Sequence, residues 1–580
     1  MEDSLEEIRG LLQGRGPPVV DPKTSSNQLD GETEALPALI QQQGTVERAV
    51  EESSLSLISP LDSIHTRGAN MQQLPEGLPP RHILTELSNL YFMFAHPWMN
   101  IFDQKMVETD ILNLQMDCPV ALDCITLFGF RYWNSSDPSV QDQQKYMENA
   151  RQRLLTAAID EISLASIQAL TTLAFDALGQ SPNTRALNLV SLLDTATAQL
   201  DLAQHCYQGT DQAQAQAVEP QIQTDNETDL SGPKSRLFWT IYTLDRIISV
   251  SHGINCRIRP NFFRREGIID DHIATPARRI KVLIDDVSQR TASAAVSKSW
   301  QKLIEISTLI ERVNDFILSS VDHTDQDQSL RWKSHFRALD SALTTWRGLQ
   351  LTMPQRQSSE DPVELTAQAM YHAAIIRMHS VAAFPPRTSP LPLASPLAPG
   401  RCYAAVQAIC SICSSLMLPV VQGPHHSAAT ADINIGKISG PLFVFAVWVA
   451  ARNTITLWTS SWEDPKPDPP TELTTLLDAL RAMAVHWPCA KQFVDMIEFV
   501  IQISCKDGCS GDGDGGGRLD WNNQSGSRQS MLAVFNDVSL TAYGLHSVLA
   551  PRIKRDRDEQ MLRLWDWFAI PGLEEGNPFG

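Results

Sequence analysis

The sequence predicts an all-α protein, a large multi-helix bundle with a disordered N-terminus and disordered loops. Apolar residues recur at helical spacing in four long stretches. No period-2 run bounded by turn signals is sustained, so few strands are expected. Apolar residues make up 43% of a 580-residue chain, far longer than the roughly 250–300 residues at which a single core stops growing.

Residues 1–80 are mostly polar and rich in Pro and Gln, and are expected to be largely disordered. Within them Leu5, Ile8, Leu11 and Leu12 give a short amphipathic piece. Folded character begins near Arg81 and extends to about residue 500. Ile167, Leu170, Ala174 and Leu178 form one apolar stripe, and Leu237, Ile241, Leu244 and Ile248 a second. Leu303, Ile306, Ile310, Val313 and Ile317 form a third, and Trp332, Phe336, Leu339, Leu343 and Trp346 a fourth. The longest apolar run, Pro441 to Ala451, is stopped by Arg452 and Asn453. It falls short of the about 20 residues a membrane span needs, so it reads as a buried helix and no membrane is expected as a partner. Segment 208–233 is polar and Gln-rich and reads as a disordered insertion. Pro385–Pro399 reads as a Pro/Ser connector, 501–530 as a Gly-rich flexible loop, and 531–580 as a C-terminal helical extension.

Charge limits the partners. Lys and Arg total 47 against 67 Asp and Glu, a formal net charge of -20. Sequence-independent DNA binding needs cations that neutralise phosphates, so DNA contact is expected to be indirect or weak. The best basic clusters, Arg278-Arg279-Ile280-Lys281 and Arg552–Arg557, read as solvated faces before they read as nuclear import signals.

No catalytic, cofactor-binding or metal-ligating residues are expected. The ten cysteines hold one CxxC pair, Cys410 and Cys413, in a helical stretch, where they read as two small buried thiols. Cys505 and Cys509 flank a turn without histidine partners, and the His425-His426 pair lacks a carboxylate at ligand spacing. The opening MEDSLEEIRG is acidic and does not read as a signal peptide, so thiols are expected to be reduced. Counted from Asp512, a calcium loop would need ligands at Gly516 and Asn523, and the match fails. Asp270-Asp271 and Asp285-Asp286 lack the third carboxylate of a magnesium-binding terpene synthase, and Asn314-Asp315 has Leu318 where a hydroxyl belongs. All three read as charged helix faces. Gly544-Leu-His-Ser-Val is not a nucleophile elbow.

One segment is distinctive. Lys234–Ile258 reads KSRLFWTIYTLDRIISVSHGINCRI. It resembles the most recognisable stretch of the fungal-specific transcription factor domain, the middle homology region of zinc-cluster factors. There a basic residue precedes L-F-W, a helix ends in D-R, and a glycine turn follows. The matching residues are Arg236, Leu237, Phe238, Trp239, Tyr242, Leu244, Asp245, Arg246, Ser249, Gly253 and Ile258. The departure is Ile254-Asn255, where the family has Arg-Pro. Leu87–Phe102, Gln168-Ala169-Leu170, Ala196–Leu202, Tyr371–His379 and Cys402–Cys413 resemble further family segments in order, so the resemblance runs from about 81 to 500.

The resemblance implies an all-α regulatory domain, a nuclear location and a role in transcription, with control of a metabolic or secondary-metabolite pathway as a plausible task. It implies structural roles for Arg236, Leu237, Phe238, Trp239, Tyr242, Asp245, Arg246 and Gly253; the alternative is that they line an effector pocket. It makes other transcription factors, coactivators, a small-molecule effector and a second copy of the chain the candidate partners. The six-cysteine DNA reader that normally precedes this domain does not occur in the sequence, and the opening residues resemble the end of the coiled coil that follows such a reader. An interaction scaffold or small-molecule sensor with no promoter role is the alternative reading.

Overall fold

The computed structural model describes residues 77–113, 119–133, 143–181, 184–203, 231–258, 276–293, 297–319, 325–352, 361–384, 397–417, 435–460 and 468–505. Every regular element among them is helical. The Leu5–Leu12 piece, Asp270-Asp271, His425-His426, Cys509, the Asp512 loop, Gly544–Val548 and the Arg552–Arg557 cluster lie outside the described residues.

The helices are α1 Arg81–Leu90, α2 Gln104–Asn113, α3 Pro119–Tyr132, α4 Gln143–Asp160, α5 Leu164–Gln180 and α6 Thr184–Gln199. Then follow α7 Ser231–His252, α8 Pro276–Ser293, α9 Lys298–Leu318 and α10 Gln326–Thr352. The last six are α11 Pro362–Ala383, α12 Ala398–Met417, the short α13 Ile435–Ile438, α14 Pro441–Ser460, α15 Thr471–Ala484 and α16 Pro488–Cys505. Three expected loops are shorter than their composition suggested. α7 takes in 231–233, α12 takes in 398–399, and α16 takes in 501–505.

Local chemistry sets several helix starts. The Ser163 and Ser166 hydroxyls close a reciprocal capping box at α5. The Ser297 hydroxyl accepts the Trp300 N–H at α9. Asp361 accepts the Val363 N–H at α11, with Pro362 in the first turn. α1 runs into a π-helical turn, Tyr91–Ala95, closed by the His96 N–H on the Tyr91 carbonyl at 2.8 Å. That turn aims Trp98 inward, where its indole N–H reaches the Phe94 carbonyl at 2.8 Å.

Three helices are buried nearly all round and lie inside the bundle. α5 is buried without a break from Ser166 to Gly179, and α7 from Leu237 to Ser251. The third is α14. Pro441–Thr459 has the length and composition to cross a membrane, but 83% of that window is buried within the protein, so it is a core helix. Burial on α9 is broader than its stripe, unbroken from Leu303 to Glu311, whereas the stripe on α10 is narrower than expected. Phe316 is buried where Ile317 was expected, and Trp332 and Phe336 are half-buried. Those two rings stack on each other with centroids 5.6 Å apart and flank Phe316.

Sequential pairs α3–α4, α4–α5 and α5–α6 build the N-terminal part of the bundle. α7 packs on α5, α6 and α9, and α9 packs in turn on α11. α11 carries α12 and α14, and α14 carries α15 and α16. α16 then returns onto α5, so the last described helix closes on one of the first. There Trp487 lies against Gly179, whose missing side chain makes the room. Gly440 does the same for Trp98, since a Cβ at Gly440 would sit 2.8 Å from the indole.

Candidate functional site

The conspicuous sequence motif forms a buried ionic knot. On α7, Phe238 and Trp239 meet edge to face at 5.3 Å, and Trp239 meets Tyr242 the same way. With Leu237 they fill the space between α7 and its neighbours. The Tyr242 hydroxyl is 3.0 Å from the Thr308 hydroxyl of α9. The Arg246 guanidinium lies 3.3 Å over the Tyr242 ring. It donates to Asp245 (2.9 Å), Glu311 (3.2 Å) and the Ile258 carbonyl (2.8 Å). Asp245 accepts the Ser249 hydroxyl and the main-chain N–H groups of Arg257 and Ile258. Asn314 of α9 donates to the Ile254 carbonyl at 2.8 Å. Gly253 turns the chain at φ 69°, in the left-handed region that suits glycine.

The side chains of Arg246, Asp245 and Glu311 are 0, 0 and 3% exposed. Burial alone would disfavour the cation, but Glu311 first, then Tyr242, Cys256 and Asp245, hold the proton on Arg246 more tightly than usual. Burial pushes the Tyr242 phenol up to about 12. This arrangement ties the turn after α7 to α9 and presents no reactive group. Arg236, half-buried ten residues before Arg246, takes no part in the knot. Asn314, read from sequence as part of a charged helix face, is buried and also accepts from Arg377 at 3.0 Å. Its place opposite the Gly253 turn, where the Ile254 carbonyl needs a donor, explains the difference.

A cavity of about 1150 Å³ lies elsewhere, between α8, α9, α10, α11 and α12. Ile280 and Ile284 of α8, Leu349 of α10 and Ile412 of α12 supply apolar lining. Glu305 of α9 and Trp346 of α10 supply buried polar atoms. The Trp346 indole N–H donates to Glu305 Oε2 at 2.9 Å, and Gln301 donates to Oε1 at 3.1 Å. The Ser288 hydroxyl also donates to Oε1. Lys302 and Glu364 pair across the lining at 2.7 Å. Lys281, Asp285 and Lys298 are exposed at the rim. Size and mixed lining suit a small organic molecule. Sequence reasoning missed this site. The available signal was a carboxylate, Glu305, set beside the apolar stripe of α9.

Cys410 and Cys413 are both buried in α12. Burial pushes the Cys410 thiol up to about 12, and Cys413 moves the same way. Among the described residues no three His, Cys, Asp or Glu side chains are grouped to hold a metal ion.

Residues 89–348 match the family model of the fungal specific transcription factor domain. They belong to that family. No curated protein and no solved structure matches the chain. The fungal specific transcription factor domain spans α2 to α9 in full and α10 as far as residue 348, with the end of α1 and the π-helical turn, and includes the whole Arg246 knot. It stops short of Tyr371–His379 and Cys402–Cys413, which resembled family segments in the sequence. The cavity straddles its edge, with α8, α9 and most of α10 inside the matched domain and Leu349, Gln350, α11 and α12 beyond it.

Proposed function

We propose that this chain regulates transcription in the nucleus by contact, through helix faces that bind a partner factor or coactivator, with the α8–α12 cavity as an effector site. The match of residues 89–348 to the fungal specific transcription factor domain carries this reading. The formal net charge of -20 supports DNA contact through a partner or a separate zinc-cluster module. A ligand that binds one arrangement of the helices better than another would shift the populations of the two. Control of a metabolic pathway and self-association are consistent with the family and belong to the same reading.

The test pairs promoter occupancy of the tagged protein in cells with binding of the purified chain to naked DNA. Occupancy without tight direct binding is expected. Nanomolar, salt-resistant binding by the isolated chain overturns the indirect contact. Absence from every promoter overturns the regulatory role and leaves a scaffold or sensor.

A further inference from the structure

The charges around the cavity are unequal in depth. Lys302 is neutralised by Glu364, and Asp361 is engaged by the Val363 N–H at the start of α11. Lys281, Lys298 and Asp285 stand exposed, where water screens them. Glu305, 6% exposed, is the one buried charge among the lining residues. Its three partners, Ser288, Gln301 and Trp346, are all neutral donors, and no Lys or Arg among the described residues pairs with it.

A carboxylate offers about four acceptor positions. Three are filled here, two on Oε1 and one on Oε2. A buried anion without a counter-ion keeps a desolvation penalty that neutral hydrogen bonds offset only in part. An entering cation removes that penalty. A neutral guest leaves it in place, and an anionic guest adds repulsion at short range. Trp346 adds an aromatic surface to the lining, which also favours a cation. Ile280, Ile284, Leu349 and Ile412 favour a hydrocarbon or aromatic body.

We infer that the cavity takes an amphipathic molecule bearing a protonated amine, with an amine N–H on Glu305 Oε2 and the apolar body among the isoleucines and leucines of α8, α10 and α12. This assignment rests on reading the cavity as an effector site.

The test uses the full chain and three probes of one shape: tryptamine, the neutral tryptophol and the anionic indole-3-acetate. Binding is followed by ligand-observed NMR. Tryptamine is expected to bind roughly tenfold tighter than either of the others, the size of a charge-assisted hydrogen bond. Glu305→Gln is expected to abolish that preference while leaving tryptophol binding unchanged. Ala342→Phe, which fills the cavity from α10 and keeps Glu305, is expected to remove binding of all three. The charge preference is measured on the unaltered chain, so it decides the matter even if Glu305→Gln fails to fold. Tryptophol or indole-3-acetate binding as tightly as tryptamine, or a preference that survives Glu305→Gln, overturns the amine assignment and leaves the effector site standing. No binding by any probe, with reporter output unaltered by Ala342→Phe, overturns both.

Discussion

The Arg131 guanidinium donates to the main-chain carbonyl of His486 at 3.1 Å, and the His486 ring returns a hydrogen bond from Nδ1 to the Arg131 carbonyl at 2.6 Å. A carbonyl only accepts, so Nδ1 carries the proton. These residues are 355 positions apart, and the pair joins α3 to the end of α15. Arg131 also lies 4.7 Å over the Trp487 ring and pairs with Asp176 of α5, which takes Arg151 as well. Burial works against the Asp176 carboxylate, but the two guanidiniums hold it below the usual carboxylate range.

Removing one member of this cluster leaves buried charge behind. Arg131→Met is expected to lower stability by about 3 kcal/mol, even though Arg151 still faces Asp176. Urea unfolding monitored by circular dichroism measures the loss. An unchanged midpoint would show that the cluster does not join the two ends of the chain.

The knot around Arg246 responds to shape as well as charge. A lysine keeps the cation but cannot reach Glu311, Asp245 and the Ile258 carbonyl together. Arg246→Lys is therefore expected to destabilise by about 3 kcal/mol, and to open the 253–258 turn to limited proteolysis before the rest of the chain. Equal protease resistance in both forms would contradict the fastening role.

Gly179→Ala sets two effects against each other. Alanine favours the helix by about 1 kcal/mol. The new methyl meets the Trp487 ring, and overpacking of this kind costs about 1–3 kcal/mol. A net loss is expected in thermal unfolding. A gain would mean that Trp487 moves aside freely.

Acid is expected to weaken the fold. Burial, then the nearby Arg347, lowers His372 to about 4 from the ordinary 6.5. As pH falls below 6.5 the unfolded chain takes up this proton and the folded chain does not. The stability present above 6.5 is therefore lost progressively down to about 4. The loss amounts to up to roughly 3 kcal/mol for this residue. Burial moves His96 and His486 in the same direction. Urea midpoints compared at pH 7.5 and 4.5 should diverge less in His372→Gln, and an identical divergence would refute the assignment.

Periodicity made the helices of this protein legible, and it placed Leu237, Ile241, Leu244 and Ile248 correctly inside. It could not show that Phe238, Trp239 and Tyr242 are buried as well, because a helix surrounded by others has no solvent face to break the pattern. Asp245 and Arg246 stood out as motif residues, but their partner Glu311 did not. Pairing across 65 residues depends on how α7 and α9 meet, which local spacing does not encode. The cavity was invisible for the same reason. Its lining comes from five helices, and Glu305 looks like any surface carboxylate until Ser288 and Trp346 are brought beside it. The motif marked the knot, and the unassigned site lies apart from it.

The closure of α16 on α5 bears on how the molecule can be divided. A clone ending at residue 348, where recognisable homology stops, would encode a polypeptide stripped of α11, which packs on α9, and of Trp487, which meets Trp98 edge to face. Its freshly bared greasy faces would send it to inclusion bodies. Recombination that moves this fold between genes must therefore carry at least the segment through Cys505, well past the end of the matched domain.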